Sequence, residues 1–177
     1  WKHVYKVDTP EEFFKAYNQT GDLCMTLQHG VVFEDYYRCY VVGQEKVHMM
    51  KYDPKAPHHE RYVKGNPAPP PKLKERIEKD ALALCRALGY DLNTVEFAVE
   101  DGVPYAIDFM NPAPDAEVTS VGRENFEWVV DAVAKMAIEK ALSGEKPYEE
   151  LRWASFLAGP KAADSSSQKR RKKVGAE

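Results

Sequence analysis

Three oxygen-bearing side chains fall in one short stretch of this sequence. Glu96 sits in Val95-Glu96-Phe97, Asp108 in Ile107-Asp108-Phe109, and Asn111 comes just before Pro112. Asp101-Gly102 between them marks a hairpin turn, so the two flanking apolar runs pair as antiparallel strands. Glu96 and Asp108 then come close on one face. Two carboxylates held together repel unless a proton or a cation lies between them. Mg²⁺ takes oxygen ligands, keeps several waters and is commonly completed by substrate phosphates. The plainer reading is a wet sheet face, which antiparallel sheets allow.

A second stretch supplies positive charge. Arg38 alternates with Tyr40 and Val42, and Lys51 follows the returning strand. An arginine among strand residues is either a solvated outward side chain or a fork for phosphate. The five histidines form no ligand pattern, and His58-His59 lies in a proline-rich loop without matching carboxylates. Neither a glycine-rich phosphate motif nor a Ser-His-Asp or Cys-His arrangement is found.

Alternating helical and strand-like segments must position these residues. Thr9-Pro10 with Glu12 reads as a capped helix start, with Phe13, Phe14 and Tyr17 on its apolar side. The run LCMTLQHGVVF reads as a strand interrupted at Gly30. YYRCYVVGQEKVHMMKYDP reads as a hairpin turning at Gly43-Gln44. Asp53 to Pro71 is a long polar loop. KLKERIEKDALALCRALG is an amphipathic helix, with Leu73, Ile77, Leu84 and Leu88 apolar and Gly89 closing it. After the second hairpin, Glu124 to Leu142 is a helix with Phe126, Val129, Val130, Val133, Ala137 and Ile138 along one side, ended at Ser143-Gly144. The fold class is α+β, with a mostly antiparallel sheet built from hairpins and packed helices.

The 177 residues include 44% hydrophobic and 30% charged side chains, enough for a real core. Net charge is −3. Residues 148–177 carry seven Lys/Arg and four Asp/Glu, leaving 18 basic and 24 acidic residues in the body. An acidic body argues against nucleic-acid binding by the folded part. From about residue 158 the sequence loses apolar periodicity and is expected to be a disordered tail, with a basic run from Lys169 to Lys173. No run reaches the ~20 apolar residues of a membrane helix. Cys24, Cys39 and Cys85 lack metal-ligand spacing and read as small core residues of a cytoplasmic protein.

Together, YYRCYVVG and GYDLNTVEFAVEDGVPYAIDFMNPAPD resemble the later half of the ATP-grasp fold. That superfamily includes D-alanine ligases, glutathione synthetases and glutamate ligases. The resemblance spans about Trp1 to Leu142. It implies a C-terminal ATP-grasp portion over residues 1–147 and an extension over 148–177. By the resemblance, Gln28 and the backbone of Val31 border adenine, Glu34 or Asp35 reaches the ribose, and Arg38 is the catalytic cation facing the triphosphate. Glu96, Asp108 and Asn111 hold Mg²⁺. The mobile glycine-rich loop and the phosphate-contacting lysines are expected before Trp1.

The implied activity is an ATP- and Mg²⁺-dependent carboxylate–amine (or thiol) ligase working through an acyl phosphate on small-molecule substrates. A non-catalytic nucleotide-binding or scaffolding module is the alternative. One departure concerns spacing. Many members have acid-x-Asn, which puts both side chains on one strand face, whereas Asp108 and Asn111 are three apart. Either a bulge re-aims one of them, or Asn111 lies beyond the strand end, or Phe109 takes the acid position and a ligand is lost.

Overall fold

The computed structural model describes residues 3–57 and 60–144. His58-His59 and the tail, with Lys169 to Lys173, lie outside these. The chain divides between Val32 and Phe33 into two units.

The first unit contains one helix, α1, Pro10–Tyr17. The Thr9 hydroxyl accepts the Glu12 N–H at 3.2 Å, as the sequence predicts. The Glu12 carboxylate reaches one residue further back than a standard capping box and accepts the Asp8 N–H at 2.8 Å. The strand expected over LCMTLQHGVVF does not form. Its Leu23, Leu27 and Val32 are exposed. An apolar run becomes a strand only where a neighbour takes up its backbone groups, and no strand among the described residues of this unit does so. Cys24 is also exposed, against the expectation of a core residue, whereas Cys39 and Cys85 are buried.

The second unit holds an antiparallel sheet of four strands: β1 Asp35–Val42, β2 Lys46–Lys51, β3 Leu92–Glu100 and β4 Val103–Asn111. Their order is β2-β1-β3-β4. Both predicted hairpins are present. Gly43 and Gln44 at one turn, and Asp101 and Gly102 at the other, have positive φ. That is the conformation whose twist matches paired strands. The long loop returns along β2 through Val63 N–H to Lys51 C=O and Asp53 N–H to Arg61 C=O. The Asn66 amide bonds both Lys51 N–H and Met49 C=O, each at 2.8 Å, and so caps part of an edge strand.

Helix α2, Pro71–Leu88, covers one face and stops at Gly89 with φ 74°. Its innermost residues are Ile77, Ala81 and Cys85, spaced four apart, with Leu73 and Leu84 at the rim. They pack on Tyr37, Cys39, Val41, Val95, Phe97 and Val99. Beyond β4, a short helix α3, Val118–Val121, leads into α4, Arg123–Ser143. On the opposite face, Val121, Phe126, Trp128, Val129 and Val133 pack with Tyr40 and Met50. Val130 and Ile138, predicted on the apolar side of α4, are instead exposed. The stripe that turns inward is Val129, Ala132, Val133 and Met136, so Val130, Ala137 and Ile138 fall outside it.

Candidate functional site

The alternation of β1 decides which side chains meet. Tyr37, Cys39 and Val41 point to α2, so Tyr36, Arg38 and Tyr40 point to the α4 side. Arg38 lies directly across from Glu96 on β3, and Glu96 directly across from Asp108 on β4. A cation and two carboxylates therefore stand in one row across three strands.

Asn111 joins them because β4 is irregular. The β3–β4 register shifts on both sides of the Glu96–Asp108 pair, and Asn111 pairs with Thr94. Thr94 and Glu96 are two apart on a strand and share a face. Extra residues on β4 thus bring Asp108 and Asn111, three apart, opposite residues of one face. The bulge is the first of the three alternatives that the spacing left open. Phe109 packs toward the α2 side, which excludes it from the row.

Asn93 stabilises this irregularity. Its fully buried amide donates to Phe109 C=O at 2.8 Å and accepts the Asn111 N–H at 2.9 Å. It thereby satisfies backbone groups near the break in the ladder, as buried polar groups must be. An asparagine in the apolar run LNTVEFAV is the signal that sequence reasoning overlooked, since Asn is depleted in strands.

Glu96 is held from two sides. The Tyr36 hydroxyl donates to its Oε2. Arg38 Nε lies 3.4 Å from its Oε1, with the two side chains only 10% and 14% exposed. That contact is an ion pair without hydrogen-bond alignment, since Nε is buried and unpartnered. Arg38 instead donates through Nη1 to the Tyr62 hydroxyl at 2.6 Å. Burial opposes the charge on Arg38, but Tyr62 and Glu96 more than offset it and strengthen its hold on the proton. Burial, then the Glu96 charge and hydrogen bond, push the Tyr36 hydroxyl far above its ordinary value, with Asp108 adding to the rise. Burial pushes Tyr62 up to about 12, while Arg38 pulls the other way. Tyr52 bridges the two tyrosines, with ring centroids 5.6 Å from Tyr36 and 5.1 Å from Tyr62. No motif or periodicity marks Tyr62. Tyr36 was readable, since it shares the parity of Arg38.

Other expected residues lie elsewhere. Asp35 points to the α2 side, where it pairs with Lys51 and accepts from Tyr37 at 3.4 Å. Neither Asp35 nor Lys51 joins the row. The Glu34 side chain is exposed and its N–H bonds Val99 C=O. Gln28 and Val31 belong to the first unit. Among the described residues, no three His, Cys, Asp or Glu side chains cluster as a metal centre. The row itself has two carboxylates, with an amide as the third oxygen donor, and that chemistry fits Mg²⁺. None of the described helices is long and apolar enough to cross a membrane.

No family model matches the sequence, and no curated protein matches it. Solved structures do. A D-alanine–D-alanine ligase from Bacillus anthracis complexed with ATP superposes with a TM-score of 0.59 at 16% identity, over 78% of this chain and 50% of that one. Another structure of D-alanine–D-alanine ligase from the same organism gives 0.56 at 16% identity, over 78% and 51%. The chain spans about half the length of these structures. At this identity the likeness shows a shared fold, the ATP-grasp fold expected from the sequence.

Proposed function

We propose that the chain supplies the metal- and phosphate-binding part of an ATP-dependent ligase that joins a small carboxylate to an amine or thiol through an acyl phosphate. The observation that carries this is the row Arg38–Glu96–Asp108, completed by Asn111 through the β4 bulge. The ATP complex of a ligase with the same fold supports the choice of nucleotide. Glu96, Asp108 and Asn111 would hold Mg²⁺, which when bound offsets the charge of the transferring phosphoryl group. Arg38 adds a fixed positive charge beside it. Phosphoryl transfer needs positioning and charge neutralisation rather than a nucleophilic side chain, and the row offers only those. Glu34 would reach the ribose. Asp35 is the weaker ribose candidate, because Lys51 holds it. The site of action is the cytoplasm, where ATP is made available.

The test is ATP-dependent phosphate release by the intact protein with a panel of carboxylates and amines or thiols. Release that depends on both a carboxylate and Glu96 is the expected result. Release that survives Glu96→Gln at the wild-type rate refutes the assignment.

A further inference from the structure

Glu96 already has a cation. The ion pair with Arg38 is nearly buried, and β1 and β3 place the two residues directly opposite. On its other flank Glu96 faces the like charge of Asp108. A carboxylate so placed needs a positive partner, because leaving a buried charge unpaired is strongly unfavourable. Arg38 meets that need imperfectly. Its Nε approaches Oε1 to 3.4 Å without a hydrogen bond, while among the described residues its Nη1 donates at 2.6 Å to Tyr62. The pair is thus held by charge more than by geometry. A bidentate arginine fork would resist displacement far better.

We propose that Arg38 is the resident counter-ion of Glu96 and is exchanged for the divalent cation, so that metal entry frees the guanidinium for an anion. This rests on the metal assignment above. Tyr36 keeps Oε2 throughout, and Oε1 is the oxygen that changes partner. The exchange keeps a positive partner at Glu96, the divalent ion's two charges replacing the guanidinium's one, and it orders the events: an incoming metal–phosphate complex supplies both the cation that releases Arg38 and the anion that receives it.

The consequence is a sign that a simple phosphate-binding arginine would not produce. With no nucleotide present, removing the Arg38 charge should tighten metal binding. Mn²⁺ alone would be titrated into the 177-residue chain, with free Mn²⁺ followed by electron paramagnetic resonance. Arg38→Gln keeps a side chain that can reach Tyr62 and should bind Mn²⁺ about tenfold more tightly, a conservative share of the attraction between charges this close and this buried. Arg38→Lys keeps the charge and should stay near wild type. Equal or weaker binding by Arg38→Gln, with binding still lost in Glu96→Gln, overturns the exchange and leaves the metal assignment standing. Binding unaffected by Glu96→Gln overturns both. A readout on the unmodified chain guards against a misfolded variant. The Arg38 Nε–H resonance should move, and its exchange with water should quicken, as Mg²⁺ is added. A resonance that stays still while the Glu96 and Asp108 amides shift defeats the proposal.

Discussion

The two faces of the sheet use the same strands for opposite ends. Toward α2, β1 and β3 present Cys39, Val41, Val95, Phe97 and Val99, all essentially inaccessible and packed on Ile77, Ala81 and Cys85. One residue along, the same strands present Tyr36, Arg38 and Glu96, nearly as buried but joined by hydrogen bonds and charge. Burial therefore does not distinguish the faces. On one side water is excluded by side chains that have no use for it. On the other, among the described residues, each buried side-chain nitrogen or oxygen has a protein partner, except Arg38 Nε and the Thr94 hydroxyl. Stability should reside mainly in the first face and binding in the second, and substitutions can be ranked by how hard they test that division.

The largest effect is expected on the α2 face. Phe97→Ala removes a ring that is 1% exposed at the centre of the packed cluster. A loss of about 4 kcal/mol is expected from transfer and cavity terms together, read as a lower urea midpoint. A loss under about 1 kcal/mol would mean that the cluster is loose and the division wrong.

Asn93 lies at the boundary, buried beside Cys85 on the α2 side yet bonded to the backbone of β4. Asn93→Ala leaves Phe109 C=O and Asn111 N–H without that partner, at a cost of about 3 kcal/mol. It should also loosen the bulge, so hydrogen exchange at Asn111 should accelerate more than at Val95. Uniform acceleration across β3 and β4 would show that Asn93 serves only global stability.

Tyr36→Phe tests the polar face with a smaller change. Loss of the hydrogen bond to Glu96 should cost about 1.5 kcal/mol near neutral pH, in the range for bonds to charged groups. The pH dependence has a definite sign. Tyr36 loses its proton less readily when folded than at its ordinary value of 10.0, because burial and Glu96 favour the neutral hydroxyl. The folded state then holds more protons than the unfolded state above pH 10, so stability falls as pH rises beyond that point. Tyr62, at about 12, and Tyr40 contribute in the same direction. The alkaline loss should be shallower in Tyr36→Phe. An identical slope would remove Tyr36 from the titrating set.

These residues also show where sequence reasoning reaches and where it stops. The hairpins were legible because Gly43-Gln44 and Asp101-Gly102 punctuate two alternating runs. Glu96 and Asp108 were expected on one face, but regular pairing from the turn would set Ile107 opposite Glu96, and it is the register shift between Glu96 and Phe97 that brings Asp108 there. The pairing of Arg38 with Glu96 was not read from the sequence. The bulge stood only as one of three alternatives, because its support is a side chain, Asn93, reaching across to another strand. Tyr62 was hidden for a similar reason: it lies 24 residues from Arg38, on a loop whose path is set by bonds to β2. The failed strand at LCMTLQHGVVF marks the converse error, a local pattern read without a neighbour to pair with.

Asp108→Asn carries the smallest stability change and the sharpest separation of the two roles. Asp108 is half-buried and faces Glu96 directly across the strand pair. Like charges so placed oppose folding, by roughly 0.2–1 kcal/mol for cross-strand pairs of this kind. Arg38 lies on the far side of Glu96, so it offsets the Glu96 charge more than the Asp108 charge. Removing the Asp108 charge while keeping its shape should therefore leave the chain as stable as before or slightly more so. The same change takes away one of the two carboxylates assigned to the metal, so Mn²⁺ affinity should fall by about tenfold or more, as expected when an anionic ligand becomes a neutral one. A residue that makes folding harder and binding easier is one kept for the site rather than for the fold. Urea denaturation and the Mn²⁺ titration on one preparation decide the matter. If Asp108→Asn lowers stability by more than about 1 kcal/mol, the carboxylate is structural and the polar face contributes to folding as the α2 face does.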